Sequence, residues 1–170
     1  MRWRFTASCS QGAPIQHSLV FRPLPDVGDD AFVDAIAATY EGTRDSWITR
    51  NIRDRGTVGA ARDDFLELQT LEYLSDWWEL AYTAEGSLAG VIVAARNPGA
   101  AVIGYVGVVP EQRGRGLAEQ LVRRGTEHLA GSGVAEIRGD CDAENVGMVK
   151  AFERAGYEQF ARRRSYRCTL

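Results

Sequence analysis

Apolar and polar residues alternate with a period of two along Trp78, Leu80 and Tyr82, and denser apolar runs follow over Leu88–Ala95 and Ala101–Val109. Glu85-Gly86 and Asn97-Pro98-Gly99 separate these runs, and both are turn signals. Two hairpins joining three consecutive antiparallel strands are therefore expected. Upstream the period lengthens. Phe32, Val33, Ile36, Ala37 and Tyr40 recur at helical spacing behind Asp29 and Asp30, either of which can cap a helix, and Gly42 ends it. Two more helices are predicted over Ser46–Arg55, with Trp47, Ile48 and Ile52 apolar, and over Arg62–Leu74, with Phe65, Leu68 and Leu71 inward. Short strands are expected at 3–8 and at His17–Leu24, the second stopped by Pro23 and Pro25. A polar stretch with Gly12 and Pro14 lies between them, so 1–16 reads as an N-terminal extension of a single domain spanning 1–170.

Past Val109 the pattern changes again. Pro110 stops the strand, a short glycine-rich turn follows, and Leu117, Leu121, Val122 and Leu129 mark one face of a helix that runs to Ala130. Glu119 and Arg123 stand one turn apart as a favourable exposed pair. Gly131 and Gly133 end this helix, and Val134–Asp140 is the next strand. A full helix between two strands implies a parallel pair joined by a crossover. Asp142 is a cap for a helix over Ala143–Ala155, which Gly156 ends as a left-handed residue. Tyr157–Arg162 and Ser165–Thr169 are expected to close the chain as a hairpin.

Composition adds constraints. At 170 residues, with 45% apolar and 25% charged side chains, the chain suits one domain with a large core. A formal net charge of −3 argues against a nucleic-acid partner held by broad phosphate neutralisation. Cys9, Cys141 and Cys168 stand far apart, as do His17 and His128, so neither a disulfide frame nor a metal site is suggested. The first residues, Met1-Arg2-Trp3-Arg4-Phe5, lack the apolar run of a signal peptide, and no membrane span is expected. A reducing, cytoplasmic setting is the simplest reading.

The chemistry lies in the turn Pro110-Glu111-Gln112-Arg113-Gly114-Arg115-Gly116-Leu117-Ala118. Such a turn gathers backbone N–H groups at the positive end of a helix, an anion site suited to a diphosphate. A P-loop would need Gly-Lys-Ser/Thr, but Leu117 and Ala118 follow Gly116. A dinucleotide fingerprint would take Gly114 and Gly116, with Asp140 downstream as a ribose ligand, but Glu119 occupies its third position. The pattern [Q/R]-x-x-G-x-[G/A] is met by Arg113, Gly116 and Ala118. By themselves these six residues suit any loop that starts a helix. A helix opening at Asn145 and closing in Phe152-Glu153-Arg154-Ala155-Gly156-Tyr157 supplies a second match.

Together these motifs resemble the GNAT superfamily of N-acetyltransferases, well over 77–168 and only by order of elements before that. The resemblance implies an α/β (α+β) fold: a mixed, mostly antiparallel sheet, a central pair of splayed parallel strands, and helices on both faces. It implies acetyl-coenzyme A as co-substrate, an amine of a small molecule or peptide as acceptor, and dimers as a common assembly. Backbone groups of Val106, Gly107 and Val108 would bond the pantetheine arm in the splay, although Gly107 also suits close helix packing. The N–H groups of Gly114, Arg115, Gly116, Leu117, Ala118 and Glu119 would meet the diphosphate, with positive charge from Arg113 and Arg115. Asn145 matches a position that contacts pantetheine, and Phe152 would pack against the coenzyme.

In the implied reaction an amine attacks the thioester directly. An alkylamine with a pKa of about 10.4 needs a base or water relay at neutral pH. Asp140, five residues before Asn145, is the first candidate, and a cap or solvated loop is its alternative reading. Asp142 is the second. The N–H of Val108 would polarise the carbonyl. Many members carry a tyrosine seven residues after the asparagine as acid toward the thiolate, where this chain has Phe152. Tyr157, Tyr105 and Cys141 remain as substitutes, and a non-catalytic acyl-coenzyme A sensor remains as the alternative function. Glu41 and Asp45 suit either a cationic acceptor or a solvated loop. Trp77 and Trp78 suit core packing better than a pocket wall, and Arg162, Arg163, Arg164 and Arg167 suit a solvated hairpin face.

Overall fold

Three consecutive strands form the centre of the sheet in the computed structural model, which describes residues 1–6, 18–43 and 45–162. These are β3 (Trp78–Tyr82), β4 (Leu88–Asn97) and β5 (Ala100–Val108), paired antiparallel as their alternation and turns predict. β2 (Val20–Pro23) extends the sheet beside β3, and β6 (Glu136–Asp140) lies parallel to β5. β1 (Arg2–Thr6) inserts between β6 and β7 (Glu158–Ala161) and is antiparallel to both. The seven strands thus run in the order β2-β3-β4-β5-β6-β1-β7. This places the first six residues inside the sheet rather than in an extension. β7 pairs with β1 where a closing hairpin was expected; 165–169 lies outside the described residues.

The helices are α1 (Leu24–Val27), α2 (Asp29–Thr39), α3 (Ser46–Arg55), α4 (Thr57–Leu68), α5 (Leu117–Gly131) and α6 (Val146–Arg154). α1 is a single turn that begins straight after Pro23, with Pro25 in its first turn, where proline is tolerated. α2 starts after Gly28, at φ 80°, and neither Asp29 nor Asp30 caps it. α4 starts and ends earlier than 62–74. Gly56 at φ 72° turns the corner from α3, and beyond Leu68 the chain bridges to the sheet, where Glu72 pairs with Arg96.

Both faces of the sheet are covered. A Cβ at Gly107 would meet Thr39 of α2 at 2.7 Å, and one at Gly104 would meet Leu68 of α4 at 3.2 Å. On the other face a Cβ at Gly90 would meet Leu121 of α5, and α5 in turn seats its own Gly125 on Ile92 and Ile103. α6 covers the far end of that face, where Phe152 lies on Gly139 of β6 and stacks on Trp3 of β1 at 5.9 Å. Trp78 is fully buried between Phe32, Phe65 and Tyr73, and Trp77 is nearly so, which makes both core residues.

Candidate active site

The parallel pairing of β5 with β6 covers only Ala101↔Ile137, Val102↔Arg138 and Ile103↔Gly139. At that point β5 carries a bulge. Val93 faces Tyr105 and Ala94 faces Ile103, so Gly104 is the extra residue. Beyond it β5 keeps β4 as a partner and has lost β6. A cleft of about 1450 Å³ opens there, with Gly104–Val108 on its floor. This exceeds the roughly 300–1,000 Å³ of a single small-ligand pocket and leaves room for two reactants.

Backbone alternation decides which groups face the gap. Val109 donates its N–H to Ala89 of β4 at 3.1 Å. Gly107, two residues back, therefore also turns its N–H and C=O toward β4, while Val106 and Val108 turn theirs toward the gap. Gly107 is thus no pantetheine donor. Its lack of a Cβ admits Thr39 instead.

Gly114 and Gly116 adopt φ 78° and 76°, a left-handed geometry that favours glycine. A Cβ at either would meet nothing within 4 Å, so the space over the turn is open. Gly116 precedes α5 with no side-chain cap. The N–H groups of Leu117, Ala118 and Glu119, in the first turn, have no carbonyl one turn back to bond. Open space, unpaired donors and a helix dipole fit a diphosphate.

The charged side chains near the turn divide their roles. Arg113 donates Nε to Val108 O at 3.1 Å and Nη2 to Thr39 O at 2.9 Å. It ties the turn to β5 and α2, and it occupies the Val108 carbonyl, leaving the N–H. Arg115 stays exposed, donating Nη1 to Gln112 Oε1 at 3.0 Å. Glu119 pairs with Arg123 at 3.0 Å, one turn on, as its spacing predicts. Asn145 caps α6, its Oδ1 accepting from Met148 N at 3.2 Å, which leaves Nδ2 for a ligand. Asp142, expected as that cap, instead accepts from Glu144 N–H and from Ser46.

Phe152 is corrected. It is fully buried between Trp3, Gly139 and Tyr157 and does not line the cleft. Tyr157 is buried too, bonded to Thr126 Oγ1 at 2.7 Å, and is no proton donor to the cleft. Cys141 does line it. Burial raises its thiol pKa, only partly offset by the hydrogen bond its sulfur accepts from Trp3 Nε1 at 3.2 Å. Asp140 lines the cleft with its side chain 71% exposed, 3.7 Å from Arg2 across the β1–β6 pair. Asp45 caps α3, accepting from Trp47 N at 2.8 Å and Ile48 N at 3.1 Å.

Asp64 has no place among the sequence motifs, and Trp47 and Tyr40 stand there only as helix-face residues. Trp47 of α3 lines the opening with its side chain largely exposed. Tyr105 on the floor bonds Thr39 Oγ1 at 2.5 Å. Thr39 already donates to Ile36 O at 2.7 Å, so the phenol is the donor. Tyr40 donates to Asp64 Oδ2, and Asp64 lines the same wall. Among the described residues no group of three or more His, Cys, Asp or Glu is placed to hold a metal ion.

A sheet split between two parallel strands, with an uncapped helix start at the mouth of the split, makes a long cleft with an anion site at one end. The chain belongs to the Acetyltransferase (GNAT) family, whose pattern it matches over residues 40–157. It is 28% identical over 148 residues to the mycothiol acetyltransferase of Paenarthrobacter aurescens, covering 79% of this chain and 45% of that protein. The corresponding enzyme of Saccharopolyspora erythraea is 31% identical over 110 residues, 61% of this chain and 34% of the relative. The chain therefore spans less than half the length of these relatives. The fold is similar to a GCN5-related N-acetyltransferase from Sphaerobacter thermophilus, with TM-score 0.61, 23% identity, and 92% and 47% of the two chains covered. It is also similar to AAC(6')-Iy in complex with a bisubstrate analogue, with TM-score 0.58, 18% identity, and 91% and 100% covered.

Proposed function

We propose that the chain transfers an acetyl group from acetyl-coenzyme A to an amine of a small molecule or peptide, both substrates lying together in the cleft. One observation carries this reading. β5 parts from β6 after Ile103, and the groups it turns into the gap, Val106 and Val108, lead straight to the open glycine turn. A pantetheine arm laid in the gap meets Val106 and Val108 as an added strand would, and the diphosphate ends at the turn. Asn145, which lines the cleft at the start of α6, is available to the arm through Nδ2.

The Val108 N–H polarises the thioester carbonyl, since the Val108 carbonyl is already held by Arg113. The thiol has an ordinary pKa of about 8.5, so the thiolate leaves without an obligatory acid, and the burial of Phe152 is compatible with turnover. The relatives' names supply acceptors for those proteins; here the acceptor is an amine admitted beside Trp47 and Tyr105.

The test is thiol release from acetyl-coenzyme A across a broad panel of amines, with coenzyme binding measured by calorimetry. Turnover with at least one amine is expected. Tight coenzyme binding with no transfer to any amine would instead establish a sensor, and no binding at millimolar coenzyme would remove the reading altogether.

A further inference from the structure

The acceptor wall holds a carboxylate that the motifs leave out. Asp64 sits in α4, partly buried, and lines the cleft. Tyr40, just past α2, donates its hydroxyl to Asp64 Oδ2 and so fixes the carboxylate's orientation. Among the described residues Tyr40 is the group that hydrogen-bonds Asp64, whose side chain is only partly buried. The Tyr40 ring meets the Tyr105 ring edge-on at 6.4 Å. Tyr105 immediately precedes Val106, whose backbone faces the gap. Orientation by Tyr40, partial burial and a place in the lining of the same cleft as the splayed strand are what a base toward an incoming amine needs.

We propose that Asp64, oriented by Tyr40, is the general base that deprotonates the acceptor ammonium; the inference rests on the acetyl-transfer reading above. Asp64 takes one proton from the ammonium. The freed amine nitrogen bonds to the acyl carbon while the C–S bond breaks, and sulfur keeps that electron pair. The second nitrogen proton passes to the sulfur, and Asp64 returns its proton to solvent. Burial raises the Asp64 pKa, partly offset by the Tyr40 hydrogen bond, and Glu67, Asp63 and Asp45 add to the rise. A carboxylate raised in this way accepts a proton more readily than an ordinary one. Among the described residues Tyr40, Asp45, Asp63 and Glu67 act on the Asp64 carboxyl, with Tyr105 behind Tyr40. Asp140, in contrast, is largely exposed and close to Arg2.

The test compares Asp64→Asn, Asp140→Asn and Tyr40→Phe with the wild type, using the best amine of the panel. Asp64→Asn keeps an acceptor for Tyr40. It is expected to lower kcat by about 100-fold or more and to abolish the acidic limb of the pH–rate profile, with coenzyme affinity unchanged. An acidic limb that survives Asp64→Asn and disappears in Asp140→Asn would overturn the assignment. Tyr40→Phe removes a hydrogen bond that favours the ionised carboxylate, so the acidic limb moves to higher pH. This decides the matter even if Asp64→Asn fails to fold. An Asp64→Asn protein with wild-type rate and profile, or a Tyr40→Phe limb that does not move, overturns the assignment while acetyl transfer stands. A wild type that binds coenzyme yet acetylates no amine overturns both.

Discussion

Ser46 and Asp142 join the two walls of the cleft. The Ser46 hydroxyl and N–H both donate to Asp142 Oδ2, at 3.2 and 3.4 Å, across 96 residues of sequence. One residue opens α3 and the other lies in the loop between β6 and α6. α3 contributes no fully buried residue; Ile48 and Ile52 pack partly against the core, and this clasp ties its start to the opposite wall. Ser46→Ala should raise the acceptor KM severalfold, about what one exposed hydrogen bond gives, with coenzyme affinity unchanged. Steady-state kinetics with both substrates varied checks this. The Asp142 pKa is held down first by the Glu144 N–H; burial opposes this, and the two Ser46 hydrogen bonds help keep the net shift downward. A lowered carboxylate pKa keeps its interactions above the ordinary range and loses them as pH falls through the lowered value, so the clasp holds at neutral pH and opens in acid.

Gly116→Ala tests the anion site. The space is open, so the substitution forces no clash, but it does force a left-handed conformation on a side chain. Stability should fall by about 1–2 kcal/mol, and coenzyme affinity by tenfold or more as the turn relaxes. Calorimetric titration together with a melting curve separates the two effects. Unchanged affinity would remove the phosphate reading of the turn.

Arg113→Ala and Arg115→Ala should behave differently although the residues are two apart. Arg113 ties the turn to Val108 and Thr39, so its loss should lower the melting temperature as well as coenzyme affinity. Arg115 is exposed, and its loss should spare stability and reduce the salt dependence of coenzyme binding.

The polar link between β3 and α5 sets an acid limit on the fold. Glu79 is almost fully buried, receives both Arg124 Nε and Nη2 at 2.7 Å, and lies 3.0 Å from His128. Burial pushes its pKa up, but the Arg124 and His128 hydrogen bonds outweigh that, and the net shift is downward. A depressed folded-state pKa gives stability that is present above the unfolded value and lost as pH falls through the folded one. Melting temperature should therefore drop in acid, and Glu79→Gln should flatten that dependence. At neutral pH the substitution should cost about 3 kcal/mol, because it leaves Arg124 without its buried partner.

What the sequence discloses about this site follows from the range of each interaction. The glycine turn, the three central strands and the helix that begins at Leu117 are local patterns, and each is where its residues put it. The exchange of roles between Gly107 and its neighbours depends on a bulge at Gly104, which the apolar run over 101–109 does not reveal. Asp64 was hidden for a similar reason. A helix read as starting at Arg62 makes it a first-turn acid, whereas in α4 it stands two turns in, facing a tyrosine 24 residues upstream. Asn145 and Asp142 both suit a helix cap, and only the packing against Ser46 assigns them differently.

The insertion of β1 between β6 and β7 has a consequence for biosynthesis. Arg2 lies opposite Asp140 and Thr6 opposite Glu136, so the partners are separated by most of the polypeptide. β1 leaves the ribosome long before β6 does, and it waits as an unpaired edge while the hairpins of β3, β4 and β5 assemble. Pairings so distant close late, which makes nascent chains vulnerable to aggregation through that waiting strand. The stack of Trp3 on Phe152, behind β6, is then the last part of the molecule to form.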